Sequence, residues 1–93
     1  MQQPDSTGAK PLLSFPTPFP IKVMGRREEG YAQVILDVVM RHAPDFDPAT
    51  LEMRPSRAGT YLSLTVTINA RSREQLDALY QELSSHPMVV MVL

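Results

Sequence analysis

From Thr60 to Ala70 the chain alternates without a break: Leu62, Leu64, Val66, Ile68 and Ala70 fall on one side, and Tyr61, Ser63, Thr65, Thr67 and Asn69 on the other. A period of two over this length predicts a strand with one dry face and one polar face, and hence the central strand of a sheet covered on one side only. Two other stretches follow the helical period instead. Tyr31, Val34, Ile35, Val38, Val39 and His42 form a single stripe, which predicts a first helix over about residues 28–41, stopped by Pro44. Gln33, Asp37 and Arg41 lie off that stripe and are expected in water. Leu76, Leu79, Tyr80 and Leu83 form the stripe of a second helix, capped by Ser72 with Gln75 three residues on.

Three shorter strands complete the pattern. Residues 21–24 read as strand one, ended by Gly25, and residues 50–54 as strand two, closed by Pro55. The apolar run 88–93 reads as strand four. Proline cannot donate to a ladder, so strand two belongs at a sheet edge. Ser56 to Gly59 make the turn into strand three, and 45–48 a loop. The order is therefore βαββαβ. Two interlocked right-handed βαβ crossovers give an α+β, ferredoxin-like sandwich: an antiparallel sheet of order 4-1-3-2 with both helices on one face. That order independently puts strand two at an edge.

Before strand one, Phe15-Pro16-Thr17-Pro18-Phe19-Pro20 places prolines at alternate positions. This predicts an extended, polyproline-like lead-in, anchored by Phe15 and Phe19. Residues 1–14, rich in Pro, Gly and small polar residues, are expected to be a flexible tail preceding a single domain at 15–93.

Composition narrows the chemistry. The 93 residues suit one modest core, and with 43% apolar and 20% charged residues the chain is ordinary for a soluble globular protein. No cysteine is present, which removes disulfides, thiolate metal sites and cysteine nucleophiles and is compatible with the cytoplasm, the expected location. A formal net charge of -1 provides no bulk attraction for nucleic acid or anionic membrane. No secretory signal is expected, and the longest apolar run is far too short to span a bilayer. Neither a metal site nor a cofactor is expected.

Several segments taken together resemble a known family. They are Phe15-Pro16-Thr17-Pro18-Phe19 with Lys22-Val23-Met24-Gly25, Arg41-His42-Ala43-Pro44, and Pro55-Ser56 with Gly59, Tyr61 and Ser63. Thr67-Ile68-Asn69-Ala70, Leu79-Tyr80-Gln81-Glu82-Leu83 and Met91-Val92-Leu93 come after them in order. Over about residues 12–93 the chain resembles the YbeD-type proteins, a bacterial family of small uncharacterised proteins. The resemblance implies a fold like that of the ACT regulatory domains of amino-acid biosynthetic enzymes, and a regulatory link to lipoate metabolism proposed within the family.

Catalysis finds no constellation. His42 ends a helix and His86 precedes Pro87 in a loop on a different connection; no cysteine is available to join them, and Ser63 has no histidine nearby in the expected sheet. Acylphosphatases share the element order, but here the loop after strand one holds Glu28 and Glu29, which oppose a phosphate. RNA-recognition domains stack bases on aromatic residues of strands one and three; this face offers Tyr61 alone.

Two binding readings remain open. In one, a non-catalytic regulatory or adaptor protein associates with an unknown protein partner, or with a second copy of itself, through the sheet face or the strand-four edge. The candidate residues are Met24, Tyr61, Ser63, Thr65, Thr67, Val89 and Met91. The arm with Phe15 and Phe19 is an equal contender to cover that surface. In the other, the protein senses a small carboxylate or amino acid whose binding stabilises a dimer. Its site is the turn where Gly25, Arg26, Arg27, Arg57 and Gly59 are expected to converge, and a solvated charged turn is the plainer account of the same residues.

Overall fold

The structure is a computed structural model and describes residues 14–93. The expected tail, 1–14, lies outside the described residues except for Ser14. Four strands and two long helices run in the order β1 (Thr17–Arg26), α1 (Tyr31–His42), β2 (Glu52–Pro55), β3 (Tyr61–Ala70), α2 (Arg73–Ser85) and β4 (Val89–Val92), with one 3-10 turn at Pro48–Thr50. The sheet order is β2-β3-β1-β4, with every neighbouring pair antiparallel, and this is the βαββαβ sandwich expected from the sequence.

β3 is central and keeps the alternation read from its sequence. Leu64, Val66, Ile68 and Ala70 are buried, and they meet Ile21 and Val23 of β1. Tyr31, Ile35, Val38 and Val39 of α1 and Leu76, Leu79 and Leu83 of α2 close this core from the same side. Phe46, in a loop by virtue of its polar neighbours, is also buried in the core together with Ala43.

β1 is longer than expected at both ends. Thr17 to Pro20 are sheet residues, paired with Thr67 to Ala70, rather than a lead-in outside the sheet. The reason lies in which way the backbone faces. Lys22 and Leu93 exchange both backbone hydrogen bonds, so the amides of even-numbered β1 residues point toward β4. The β4 pairing stops at this level, so Pro18 and Pro20, which lack an N–H, fall on a part of the β1 edge that no strand among the described residues covers. Phe15 and Phe19 pack against the core, as anchors of the arm.

At its other end β1 runs through Gly25 instead of stopping there. Gly25 is buried beneath the Tyr31 ring. Helix α1 correspondingly starts at Tyr31, the first residue of the stripe and three residues later than the expected start at about 28. Gly30, at φ 83°, turns the chain into it through a left-handed conformation. Helix α2 begins at the expected cap: the Gln75 amide donates to Ser72 Oγ at 3.0 Å. The Gln75 side chain accepts from the Arg71 amide at 2.6 Å and donates to the His42 carbonyl at 2.9 Å, which ties the end of α1 to the start of α2.

β4 does not alternate. Val23 pairs with Val92 and Met24 with Met91, but Gly25 pairs with Val89, so Val90 is an extra residue in the ladder. The bulge turns both Val89 and Val92 toward the core, while Met91 shares the side of Met24. A regular strand over 88–93 would turn every second residue to the core; here Val89 and Val92 meet it and Val90, Met91 and Leu93 are exposed.

Candidate functional site

Both helices cover one face of the sheet, and among the described residues no element covers the other. Cross-strand pairing sets out its side chains in rows. One row runs Glu52, Thr65, Lys22 and Leu93 across the four strands; the next runs Arg54, Ser63, Met24 and Met91. Arg26 and Tyr61 begin a third. The face therefore grades from charge on β2, through hydroxyls on β3, to apolar side chains on β4.

The apolar end is exposed. Met91 keeps 47% of its surface in water and Leu93 62%, and the bulged Val90 beside them keeps 57%. The arm does not cover these residues, because Thr17 to Pro20 lie within the sheet. Val89, grouped with Met91 by sequence, packs against the core instead. Thr67 is exposed on the open face, opposite Pro20.

The charged end is concave. A depression of about 240 Å3 is lined by Lys22, Glu52, Met53, Arg54, Ser63 and Thr65. A second, of about 170 Å3, is lined by Lys22, Met24, Arg54, Pro55, Ser56, Tyr61 and Ser63. The two share Lys22, Arg54 and Ser63. Sequence patterns alone do not single out Lys22, Glu52 and Arg54 as site residues. Their signal is present in the parity of the strands, since each faces the side of Ser63 and Thr65.

The arginine turn is more dispersed than its sequence suggests. The Arg27 amide donates to the Thr60 carbonyl at 2.9 Å, and the Arg27 guanidinium lies over Gly59, which has φ 79°. Arg26 instead lines a depression of about 300 Å3 with Glu28, Pro87, Met88 and Val90. Arg57 is exposed on the hairpin, whose turn is closed by Ser56 Oγ accepting from the Tyr61 amide at 3.1 Å. Gly25 is buried and offers no surface. The structure thus joins Arg27 to Gly59 and sends Arg26 elsewhere.

Away from the sheet face, the helices are linked by a cluster that sequence reasoning missed. Glu82 of α2 accepts from Arg41 at 3.0 Å and meets His42 Nε2 at 2.7 Å. The Arg41 hydrogen bond, then that of His42, holds the Glu82 carboxyl down at about 2. Its partners stand some forty residues apart, beyond the reach of any local pattern. Tyr31, fully buried, donates to the Val23 carbonyl at 3.2 Å, and burial pushes its hydroxyl up to about 12. Among the described residues no three His, Asp or Glu side chains are grouped to hold a metal, and no helix is long and apolar enough to cross a membrane.

A bare four-stranded antiparallel sheet backed by two helices is the architecture of the ACT domains, and solved structures agree. The chain is similar to the solution structure of protein HP0495 from H. pylori, with a TM-score of 0.74, 18% identity, and coverage of 90% of this chain and 88% of that one. It is similar also to the ACT domain from GTP pyrophosphokinase of Chlorobium tepidum, with a TM-score of 0.61, 18% identity, and 80% of each chain covered. At such identities the likeness is one of fold.

Sequence makes the assignment narrower. Residues 10–93 match the family described as "Protein of unknown function (DUF493)", and the chain belongs to that family, the one to which the YbeD-type resemblance points. A UPF0250 protein of Nitrosomonas europaea is 57% identical over 82 residues, covering 88% of this chain and 94% of the relative. A UPF0250 protein of Bordetella pertussis is 55% identical over 82 residues, covering 88% and 90%.

Proposed function

We propose that the protein is a non-catalytic regulatory or adaptor protein of the cytoplasm that works by associating with another protein molecule. The contact is the apolar end of the open face, Met24, Met91 and Leu93. One observation carries the reading: Met91 and Leu93 project side by side from a strand at the sheet edge and remain about half exposed. Adjacent large apolar side chains on a flat, uncovered surface are the usual core of a contact patch. The face serves better than the bare edge. β4 is short, and beyond it Pro18 and Pro20 stop any strand added alongside β1 from completing its hydrogen bonds. The family resemblance makes enzymes of lipoate metabolism the first partners to try.

The test is a double variant, Met91→Asp with Leu93→Ser, compared with the parent by sedimentation velocity over a concentration series and by binding to purified lipoate-metabolism enzymes. Loss of self-association or of a partner in the variant, with the fold retained, supports the reading. A parent that is monomeric throughout and binds none of the enzymes rejects it.

The second reading is a sensor of a small carboxylate or amino acid. It is favoured by one observation, the cationic depression at the β2 end of the same face.

A further inference from the structure

The rows of the open face give the sensing reading a definite site and ligand class. We propose that Lys22 and Arg54 together bind the carboxylate of a small monocarboxylic acid, a site that rests on the sensing reading and deepens it. The apolar or aromatic body of the acid lies along the face toward Met24 and Tyr61.

Lys22 is opposite Thr65 and Arg54 opposite Ser63, so the two cations flank β3 from either side in neighbouring rows. Strands are about 4.8 Å apart, which puts the backbones of β1 and β2 about 10 Å from each other. Long side chains from both can meet over the hydroxyls between them. Among the described residues neither cation is in an ion pair, and both are exposed. They line both depressions, as does Ser63. Cations drawn to one place with hydroxyl donors beneath them suit an oxyanion.

Four features narrow the ligand. Glu52 stands on the same rim, so Lys22, Arg54 and Glu52 carry a net charge of +1, which matches a single carboxylate better than a dianion. The second depression replaces Glu52 and Thr65 with Met24 and Tyr61, so the floor becomes less polar away from the cations. Thr65 and Tyr61 are four residue steps apart on β3, about 13 Å along the strand, which bounds the length of the ligand. Volumes of about 240 and 170 Å3 lie below the roughly 300–1,000 Å3 of sites for larger ligands, so the acid is small and its binding weak.

The experiment is an amide-shift titration of the full chain with 4-phenylbutyrate, with 4-phenylbutanol and 4-phenylbutylamine as controls. Saturable shifts centred on Lys22, Arg54 and Ser63, given by the acid alone, are expected. The Lys22→Gln, Arg54→Gln variant should weaken binding about tenfold or more while keeping its spectral dispersion. Arg54→Lys, which keeps the charge, should retain part of the affinity. Shifts confined to residues 25–30 and 57–59 would overturn this site and leave the sensing reading standing. No saturable shift anywhere would overturn both. Equal response to the amine would show contact with the apolar body alone and would also overturn the proposal.

Discussion

The aromatic ring of Tyr31 rests directly on the backbone of Gly25. A Cβ added at Gly25 would come within 2.5 Å of Tyr31 Cε1 and would also collide with the Met88 carbonyl oxygen. The first helix, the first strand and the entry to the last strand meet at this point, and only a residue without a side chain lets them close. Gly25→Ala must therefore shift either backbone or ring. A loss of about 1–3 kcal/mol is expected in urea unfolding, as for other overpacked cores.

Tyr31 also predicts a response to alkali. Its hydroxyl is raised from an ordinary value of 10.0 to about 12 by burial, so between those values the folded chain holds a proton that the unfolded chain has lost. The stability from this group is complete below pH 10 and disappears as pH rises toward 12. Burial raises Tyr80 as well, but the shift of Tyr31 is the large one, so absorbance titration at 295 nm should show Tyr31 ionising last, with the folded signal collapsing alongside it. Tyr31→Phe should remove that late step and cost about 0.5–1.5 kcal/mol at neutral pH through the lost bond to the Val23 carbonyl.

The Glu82 cluster predicts the opposite sign. Its carboxyl is lowered from 4.5 to about 2 by Arg41 and His42, so the unfolded chain binds a proton before the folded one does. The contribution is whole above pH 4.5 and is lost as pH falls toward 2. Glu82→Gln should thus differ from the parent in unfolding midpoint at neutral pH, and the gap should narrow through that acid window.

Leu64 tests the architecture itself. It is fully buried at the middle of β3, against Val23 of β1, and Leu64→Ala should cost about 2–5 kcal/mol. A neutral result in chemical denaturation would contradict a central β3.

Pro18 and Pro20 predict an aggregation effect rather than a stability effect. Replacing both with threonine would restore two outward amides to the bare half of the β1 edge. Light scattering at high protein concentration should rise in the variant while its thermal midpoint stays close to that of the parent.

These residues also show what a sequence can and cannot disclose. The alternation of β3 is local, continuous and two-sided, so its identity and its place in the sheet are both legible, and the Ser72 cap is legible for the same reason. The prolines of 15–20 read as incompatible with a ladder. Whether an amide is needed depends on the neighbouring strand, and β4 has to be placed before Pro18 and Pro20 can be seen as harmless. Phe46 sits among aspartates and prolines, with no period to mark it as core. Among the candidate site residues, Met24, Tyr61, Ser63, Thr65 and Met91 fall on the open face as the strand order requires. The arginines of the turn are on loops, where side-chain direction follows no repeat, and they diverge.

The extra residue at Val90 has a consequence for how β4 would look in a substitution scan. A regular edge strand gives a sensitive position at every second residue. Here the two positions that meet the core, Val89 and Val92, are three apart, and Val90, Met91 and Leu93 face solvent. Scored by folding, polar replacements would be rejected at 89 and 92 and accepted at 90, 91 and 93. Judged by its tolerance alone, the end of this chain would be mistaken for a turn of helix.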